Sequence, residues 1–499
     1  MSMTRRDFIK TSAITAGAAL MGQHAFAGDP PSKKPYNVIF VMTDQWRAHA
    51  LGYRKQDPVI TPHLDAFCGE SVCFNNAIAM APVCGPNRAC WLTGRFIQNH
   101  GVMKNEGAHV QAEHLLSRRF KQAGYRNGYV GKWHVSGEKY PRKDPTPDFL
   151  KQDYDYWYRA ENHTHFQLRY DNHGEMIDAG EGWQPDHETD KAIEFIRQRD
   201  DRPFNLVLSY GPPHNGAYSP KFCAEKRWTP GSRSHQKGGY GYYAPKDYEA
   251  LYKDMGPDDI RANVTNLEIR EKGKPTGEFD TIALAIAGYY GACTAIDEAF
   301  GRLIKYLKDN GLYDNTIVVF SSDHGEMMGS HGLMTKGVCF EESLNVPLVV
   351  HVPGVASRQD DRLFSSIDVM PTLLGLTGQA IPDGVDGSDF TAALRDPKQG
   401  HDPEMAMIGY ASWRGWRTKR YTYVTSSQEG NLGGREAMYL RNTANKSSTH
   451  ILFDLENDPL QQRPILKGDG AATDTLIDDF HAELKDTLQG MGETINDSV

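Results

Sequence analysis

Residues 84–94 read Cys-Gly-Pro-Asn-Arg-Ala-Cys-Trp-Leu-Thr-Gly, a C-x-P-x-R-x4-T-G string. A proline two residues past Cys84 fits the first turn of a helix, where backbone N–H groups point outward without intrahelical partners. A cysteine at such a place readily holds an anionic sulfur, or an oxyanion bound beside it. The string alone also fits a buried cysteine followed by a loop proline and a surface arginine. What else the chain brings to Cys84 decides between them.

Four apolar runs end in polar residues of a reactive kind. Residues 37–43 read as a buried strand running into Asp44, and a strand over 126–130 delivers Gly131-Lys132-Trp133-His134. A strand over 204–210 ends at Gly211-Pro-Pro-His214, and one over 315–321 ends at Asp323-His324-Gly325. Residues 346–352 form a further apolar strand. Helical patterns separate these runs. Pro62 starts a short helix with Leu64 and Phe67 on one face, and 113–122 and 187–199 follow. Ile282, Ile286, Ile296, Phe300, Ile304 and Leu307 recur at helical spacing. The alternation predicts an α/β fold: a large central, mostly parallel mixed sheet flanked by helices. Ligands of such sheets gather at the carboxyl ends of the strands, so Asp44, Lys132, His134, His214, Asp323 and His324 are expected to converge.

The 499 residues exceed one compact core and predict two or three lobes. A net charge of −9 and a pI near 6.1 exclude nucleic acid as a bulk partner, though not a local basic pocket. Thr4-Arg5-Arg6-Asp7-Phe8-Ile9-Lys10, the mildly apolar stretch 12–21 and Ala25-Phe26-Ala27 follow the order of a twin-arginine export signal with its cleavage site. Residues 1–27 are therefore expected to be a signal peptide, with the twin-arginine translocon as partner and the periplasm as destination. The apolar stretch falls short of the ~20 residues of a membrane span, and no second one follows. The seven cysteines include no zinc-type C-x2-C pair. An oxidising compartment permits disulfides but the spacing assigns none.

Residues 28–400 read as a catalytic domain and 401–499 as a smaller α+β subdomain, with strands at 421–424 and 450–453 and a closing helix at 475–488. Within the first, 215–280 is rich in Gly, Tyr, Lys and Pro and reads as an insertion or loop system over the site. The tyrosines of 240–243, with Trp413, Trp416 and Arg417, fit either a sugar-stacking platform or packing of the small lobe. The acidic run 383–389 misses the calcium-loop spacing and reads as a turn, and His163 and His165 read as surface-loop residues.

In their order and spacing, several motifs together resemble the formylglycine-dependent (type I) sulfatases of the alkaline-phosphatase-like superfamily. They are Asp44 at its strand end, Cys84–Gly94, Gly131-Lys-Trp-His134, Pro213-His214 and Asp323-His324-Gly325. Lys336 ahead of Glu341-Glu-Ser, the run Asn345-Val-Pro-Leu-Val-Val350 and Phe453-Asp-Leu-Glu-Asn-Asp-Pro459 extend the match over nearly the whole mature length. The resemblance implies that a formylglycine-generating enzyme converts Cys84 to formylglycine. One hydroxyl of its hydrate attacks sulfur and the other later expels sulfate. It also implies one divalent ion, Ca2+ by preference, held by Asp44, Gln45, Asp323, His324 and the oxygen at position 84. Many relatives carry Asp where Gln45 stands and Asn where His324 stands. A glutamine still offers a carbonyl oxygen, whereas imidazole suits transition metals better.

The resemblance gives Arg88, one helical turn past Cys84, the stabilisation of the hydrate. It gives Lys132 and Lys336 the charge on the sulfuryl oxygens. His134 would take the proton of the second hydroxyl, and His214 would protonate the leaving alcohol. The implied substrate is an O-sulfate ester on a carbohydrate. Two other readings stay open: a phosphonate or phosphodiester hydrolase using the same formylglycine, and a catalytically silent sugar-sulfate binder if Cys84 stays unmodified.

Overall fold

The computed structural model describes residues 34–137, 145–160, 165–198, 200–217, 219, 221–223, 240–255, 259, 278–426 and 450–495. The expected signal peptide, most of 215–280 and His163 lie outside the described residues. The strands are β1 (Asn37–Asp44), β2 (Val72–Ile78), β3 (Arg126–Lys132), β4 (Tyr156–Ala160), β5 (Gln167–Asn172) and β6 (Glu175–Glu181). They continue as β7 (Phe204–Pro213), β8 (Gly216–Ala217), β9 (Tyr240–Gly241), β10 (Thr316–Ser322), β11 (Leu348–His351) and β12 (Arg358–Ser365). The last four are β13 (Met405–Tyr410), β14 (Trp413–Thr418), β15 (Tyr421–Ser426) and β16 (His450–Asp454).

Ten of them form one sheet in the order β12-β2-β11-β10-β1-β7-β3-β4-β5-β6. The central run from β10 to β4 is parallel. β11 runs antiparallel between β10 and β2, and β5 and β6 extend the far side antiparallel. The sheet is thus mixed and mostly parallel, as the alternation predicts. All eight residues of β1 are buried because both faces of the central strands are covered. Ile39 and Val41 face one core with Ile296, Phe300 and Leu303 of the long helix Glu278–Asp309. Val38, Phe40 and Met42 face the other, with Trp91, Leu92, Leu373 and Leu374.

Register sets the site. Thr43 pairs with Ser322 and Asp44 with Pro213, so Asp44, His214 and Asp323 emerge at one edge of the sheet. The regions expected to be helical at 113–122 and 187–199 are a 3-10 turn plus the helix Leu116–Gln122, and the helix Gln184–Arg197. Leu115, extended at ψ 141°, splits the first of these.

Strands β13–β16 form a separate antiparallel sheet in chain order. One face packs on the helix Ala471–Gly490 through Met407, Trp416, Tyr423 and Leu452 against Ile477, Phe480 and Leu484. The other packs through Ile408, Trp413 and Val424 against Ile78, Phe340 and Leu363. With both faces covered, Trp413, Trp416 and Arg417 are buried, so packing of the small lobe describes them and a sugar platform does not. Arg417 is accommodated by a bidentate pair with Glu341 (2.7 and 3.0 Å). Tyr36–Val499 forms one compact unit. No disulfide joins any of the seven cysteines, all of which lie among the described residues.

Candidate active site

Cys84 is the first residue of the helix Cys84–Thr93, preceded by the extended Val83 (φ −147°, ψ 143°). Pro86 is tolerated because first-turn N–H groups have no helical carbonyl to lose. The Gly85 N–H, one of these orphans, donates to Asn105 Oδ1 at 2.8 Å. At the other end Thr93 Oγ1 donates to the Ala89 carbonyl (2.7 Å), and Gly94 turns out of the helix at φ 65°. The Gly94 carbonyl accepts the N–H groups of Asp386 and Gly387 at 2.9 and 3.0 Å. The Thr-Gly that closes the sequence string is therefore the helix stop, clamped by the 383–389 turn.

The strand ends meet at this helix start. Cys84 Sγ lies 3.2 Å from His324 Nε2, 3.7 Å from Asp44 Oδ1 and 3.9 Å from Lys132 Nζ. Lys132 Nζ also donates to Asp44 Oδ2. His214 Nε2 is 4.0 Å from Asp44 Oδ1 and 2.7 Å from Lys336 Nζ, which donates in turn to Gln45 Oε1. His134, two residues beyond Lys132, is buried at φ 65°, and a Cβ on Gly85 would sit 3.0 Å from its carbonyl oxygen. Gly131 has φ 102° where β3 passes so near β7 that a Cβ would lie 2.1 Å from the Ser209 carbonyl oxygen. That close approach lets the Lys132 carbonyl accept Ser209 Oγ at 2.7 Å.

Arg88 is fully buried and its hydrogen bonds define its task. Nε donates to Asp323 Oδ2 (2.7 Å), Nη2 to Asp44 Oδ2 (3.2 Å), and Nη1 to Ser209 Oγ (2.7 Å) and the Lys132 carbonyl (2.9 Å). The guanidinium fork thus joins three strand ends and reaches the surroundings of Cys84 through the two carboxylates.

Burial pushes the Asp44 carboxyl up, yet its cationic neighbours, Lys132 foremost and Arg88 with it, outweigh burial and hold the group well below the ordinary carboxylate range. Burial and Asp44 push the Cys84 thiol up, and Lys132, Lys336 and His324 bring it below its ordinary value. For His324, burial lowers the imidazole while Asp323 and Cys84 raise it, with a net rise.

The donor set suits a divalent cation. Ligand atoms of Asp44, Cys84, Asp323 and His324 lie within 4.8 Å of one another, all buried. His324 Nδ1 meets the Gly325 carbonyl at 2.9 Å, which places the proton there and leaves the Nε2 lone pair facing the cluster. Two of the four donors are carboxylate oxygens, the kind a hard cation takes, beside the imidazole nitrogen and the Cys84 sulfur.

The sequence reading missed Glu326, Tyr242, Ser209 and Tyr289. Glu326 Oε2 accepts Gln45 Nε2 (2.5 Å) and Tyr242 Oη (2.6 Å). The signal for both was present, in the acidic residue just past Asp323-His324-Gly325 and in the tyrosine run 240–243. His165 is not a surface residue: it is 1 % exposed, and a Cβ on Gly216 would lie 2.5 Å from its Nδ1. Burial, with Lys132 nearby, lowers its imidazole to about 3, so it is neutral.

Residues 36–379 match the sulfatase family model, and 329–490 match a model described as the C-terminal part of N-sulphoglucosamine sulphohydrolase. The chain is 32 % identical to an ulvan-active sulfatase of Formosa agariphila over 483 residues, covering 93 % of this chain and 83 % of that protein. It is 29 % identical to an endo-4-O-sulfatase of Bacteroides thetaiotaomicron, covering 85 % and 87 % of the two. A solved structure from Bacteroides thetaiotaomicron, described with the metabolism of multiple glycosaminoglycans, superposes with a TM-score of 0.75 at 27 % identity, covering 92 % of this chain and 97 % of that one. Carboxylates, imidazoles and lysines gathered on one cysteine thus occur in a chain whose length is matched by sulfatases. The chain belongs to the sulfatase family and is a sulfatase.

Proposed function

We propose that this sulfatase hydrolyses O-sulfate esters of a carbohydrate, with formylglycine made from Cys84 as nucleophile and a divalent cation, calcium by preference, held by Asp44, Gln45, Asp323 and His324. The observation that carries the reading is the convergence of His324, Asp44 and Lys132 on Cys84 Sγ at 3.2, 3.7 and 3.9 Å. The relatives named for ulvan, 4-O-sulfate and glycosaminoglycans support a sulfated carbohydrate as substrate.

When bound, the cation supplies positive charge to the oxygens placed on it, and the hydrated aldehyde supplies two hydroxyls where a thiol has one proton. The rest falls to side chains. Lys132 and Lys336 set ammonium groups beside Asp44 and Gln45, where charge on the sulfuryl oxygens is met by preorganised donors worth several kcal/mol in a dry pocket. His134, on the segment that carries Lys132, takes a proton from position 84. His214 has Nδ1–H tied to the Asn215 carbonyl at 2.7 Å, so Nε2 is the atom that passes a proton to the leaving alcohol. Arg88 keeps both carboxylates in place. Conversion of Cys84 by a formylglycine-generating enzyme in the cytoplasm, then twin-arginine export to the periplasm, complete the reading. They rest on the charged, apolar and small-residue order of residues 4–27.

The test is mass spectrometry of the peptide carrying residues 84–88 after expression in the native host, with a panel of sulfated sugars, aryl sulfates and phosphonate monoesters. An aldehyde at 84 with sulfate release from sugars supports the reading. Only thiol, with no release, overturns it, and phosphonates turned over faster than every sulfate shift the assignment to phosphonate hydrolysis.

A further inference from the structure

Gln45 is gripped from every side. Its N–H donates to Asp323 Oδ1 at 3.1 Å, its carbonyl accepts Tyr289 Oη at 2.8 Å, and its backbone sits at φ 72°. A non-glycine residue occupies that region only where its surroundings hold it. The side chain is held as firmly. Nε2 lies 2.5 Å from Glu326 Oε2 and 3.0 Å from Tyr242 Oη, whose own proton goes to the same Oε2 at 2.6 Å. Glu326 Oε1 accepts the N–H groups of Met328 and Thr335 at 2.8 and 2.7 Å. Donors therefore fill both oxygens of Glu326, which acts only as an acceptor. An amide has two unlike ends. With its NH2 turned to Glu326, its oxygen must face the other way, and there Oε1 meets Lys336 Nζ.

We propose that Glu326, assisted by Tyr242, is the positioning residue that makes Gln45 a neutral oxygen ligand, and that its charge is the reason position 45 carries an amide and not a carboxylate. The proposal rests on the metal centre of the proposed function. A carboxylate at position 45 would bring an oxygen against Glu326 Oε2 where Nε2 now lies at 2.5 Å, two like charges in a fully buried site. Glu326 has no freedom to turn aside, because backbone N–H groups hold its other oxygen. The same bonds dictate what Glu326→Gln would do. The new oxygen stays with the backbone donors, so the new NH2 faces Gln45, which must flip and present its own NH2 to the cation.

The test is a charge exchange in the full chain, using Gln45→Glu, Glu326→Gln and the two combined. Ca2+ is titrated calorimetrically into metal-stripped protein, and the thermal midpoint of the metal-free protein is measured in parallel. Glu326→Gln is expected to weaken Ca2+ binding about tenfold. Gln45→Glu is expected to lower the metal-free midpoint by on the order of 5 °C. The combined variant is expected to regain the midpoint and at least the wild-type affinity, because the new amide at 326 donates to the new carboxylate at 45. A single Glu326→Gln chain that fails to fold while the combined one folds is the same rescue. Additive losses, or a Glu326→Gln chain binding Ca2+ like the wild type, overturn the proposal and leave the metal centre standing. A wild-type chain that binds no divalent cation overturns the metal centre, and this proposal with it.

Discussion

Lys336 Nζ lies 2.7 Å from His214 Nε2. The proton of His214 Nδ1 is engaged by the Asn215 carbonyl, so Nε2 turns its lone pair toward the ammonium group. The candidate acid and the candidate sulfuryl cation thus share one hydrogen bond. A proton can reside on Nε2 only when Lys336 turns to another acceptor, such as the Gln45 Oε1 it also meets. Substrate oxygens at Lys336 would arm His214.

His214→Ala should therefore discriminate between leaving groups. Turnover of a sugar sulfate, whose alcohol leaves poorly without a proton, is expected to fall ~10²–10⁴-fold. An aryl sulfate should lose far less, because phenoxide leaves unaided. Steady-state kinetics on both substrates checks this, and equal losses would contradict the acid role.

Arg88→Lys should unfold at a markedly lower temperature. One ammonium cannot reproduce bonds to Asp44, Asp323, Ser209 and the Lys132 carbonyl, so a buried carboxylate is left without its partner. Such losses run to ~3–5 kcal/mol. Calorimetric unfolding reads it, and an unchanged midpoint would show that the carboxylates do not depend on the fork.

Gly131→Ala and Gly124→Ala separate backbone strain from steric exclusion. Both sites have positive φ, 102° and 82°, but only Gly131 would press a Cβ onto the Ser209 carbonyl, while Gly124 faces open space. The Gly124 variant is expected to lose about 1–2 kcal/mol from its backbone conformation alone. The Gly131 variant should lose clearly more and also activity, since β3 must shift and carry Lys132 with it. Chemical denaturation of the pair, with similar midpoints, would refute the contact.

Asp368 should make stability depend on pH. Burial raises its carboxyl to about 7, against the lowering effect of the Ser388 and Ser365 N–H groups, both at 2.7 Å. The unfolded value is ~3.9, so between the two values the folded state binds the extra proton and stability falls as pH rises. Relative to Asp368→Asn, the wild type is expected to lose on the order of a few kcal/mol from about pH 4 to about pH 7. Thermal midpoints of both proteins across that range test it, and parallel curves would remove Asp368 as the cause.

Much of the site is legible along the chain because strands of a parallel sheet deliver their next residues to one edge. Asp44, Lys132, His214 and Asp323 each follow an apolar run, and the parallel registers bring those ends together. Strands β2, β6 and β12 are not legible in this way. They lie toward the sheet margins, where mixed or exposed residues such as those of Glu175–Glu181 interrupt the apolar run.

Residue type and local spacing alone determine the α/β class, the helix start at Cys84 and the polar strand ends, because each depends on neighbours a few positions away. Tertiary structure decides how those groups are used. Gln45 meets Glu326 across 281 positions and Tyr242 across 197, and only that meeting tells which end of the amide faces the site. Arg88 becomes a tie between carboxylates, Trp413 and Trp416 become core, and His165 becomes buried and neutral, since burial and hydrogen-bond partners arise from segments far apart in the chain.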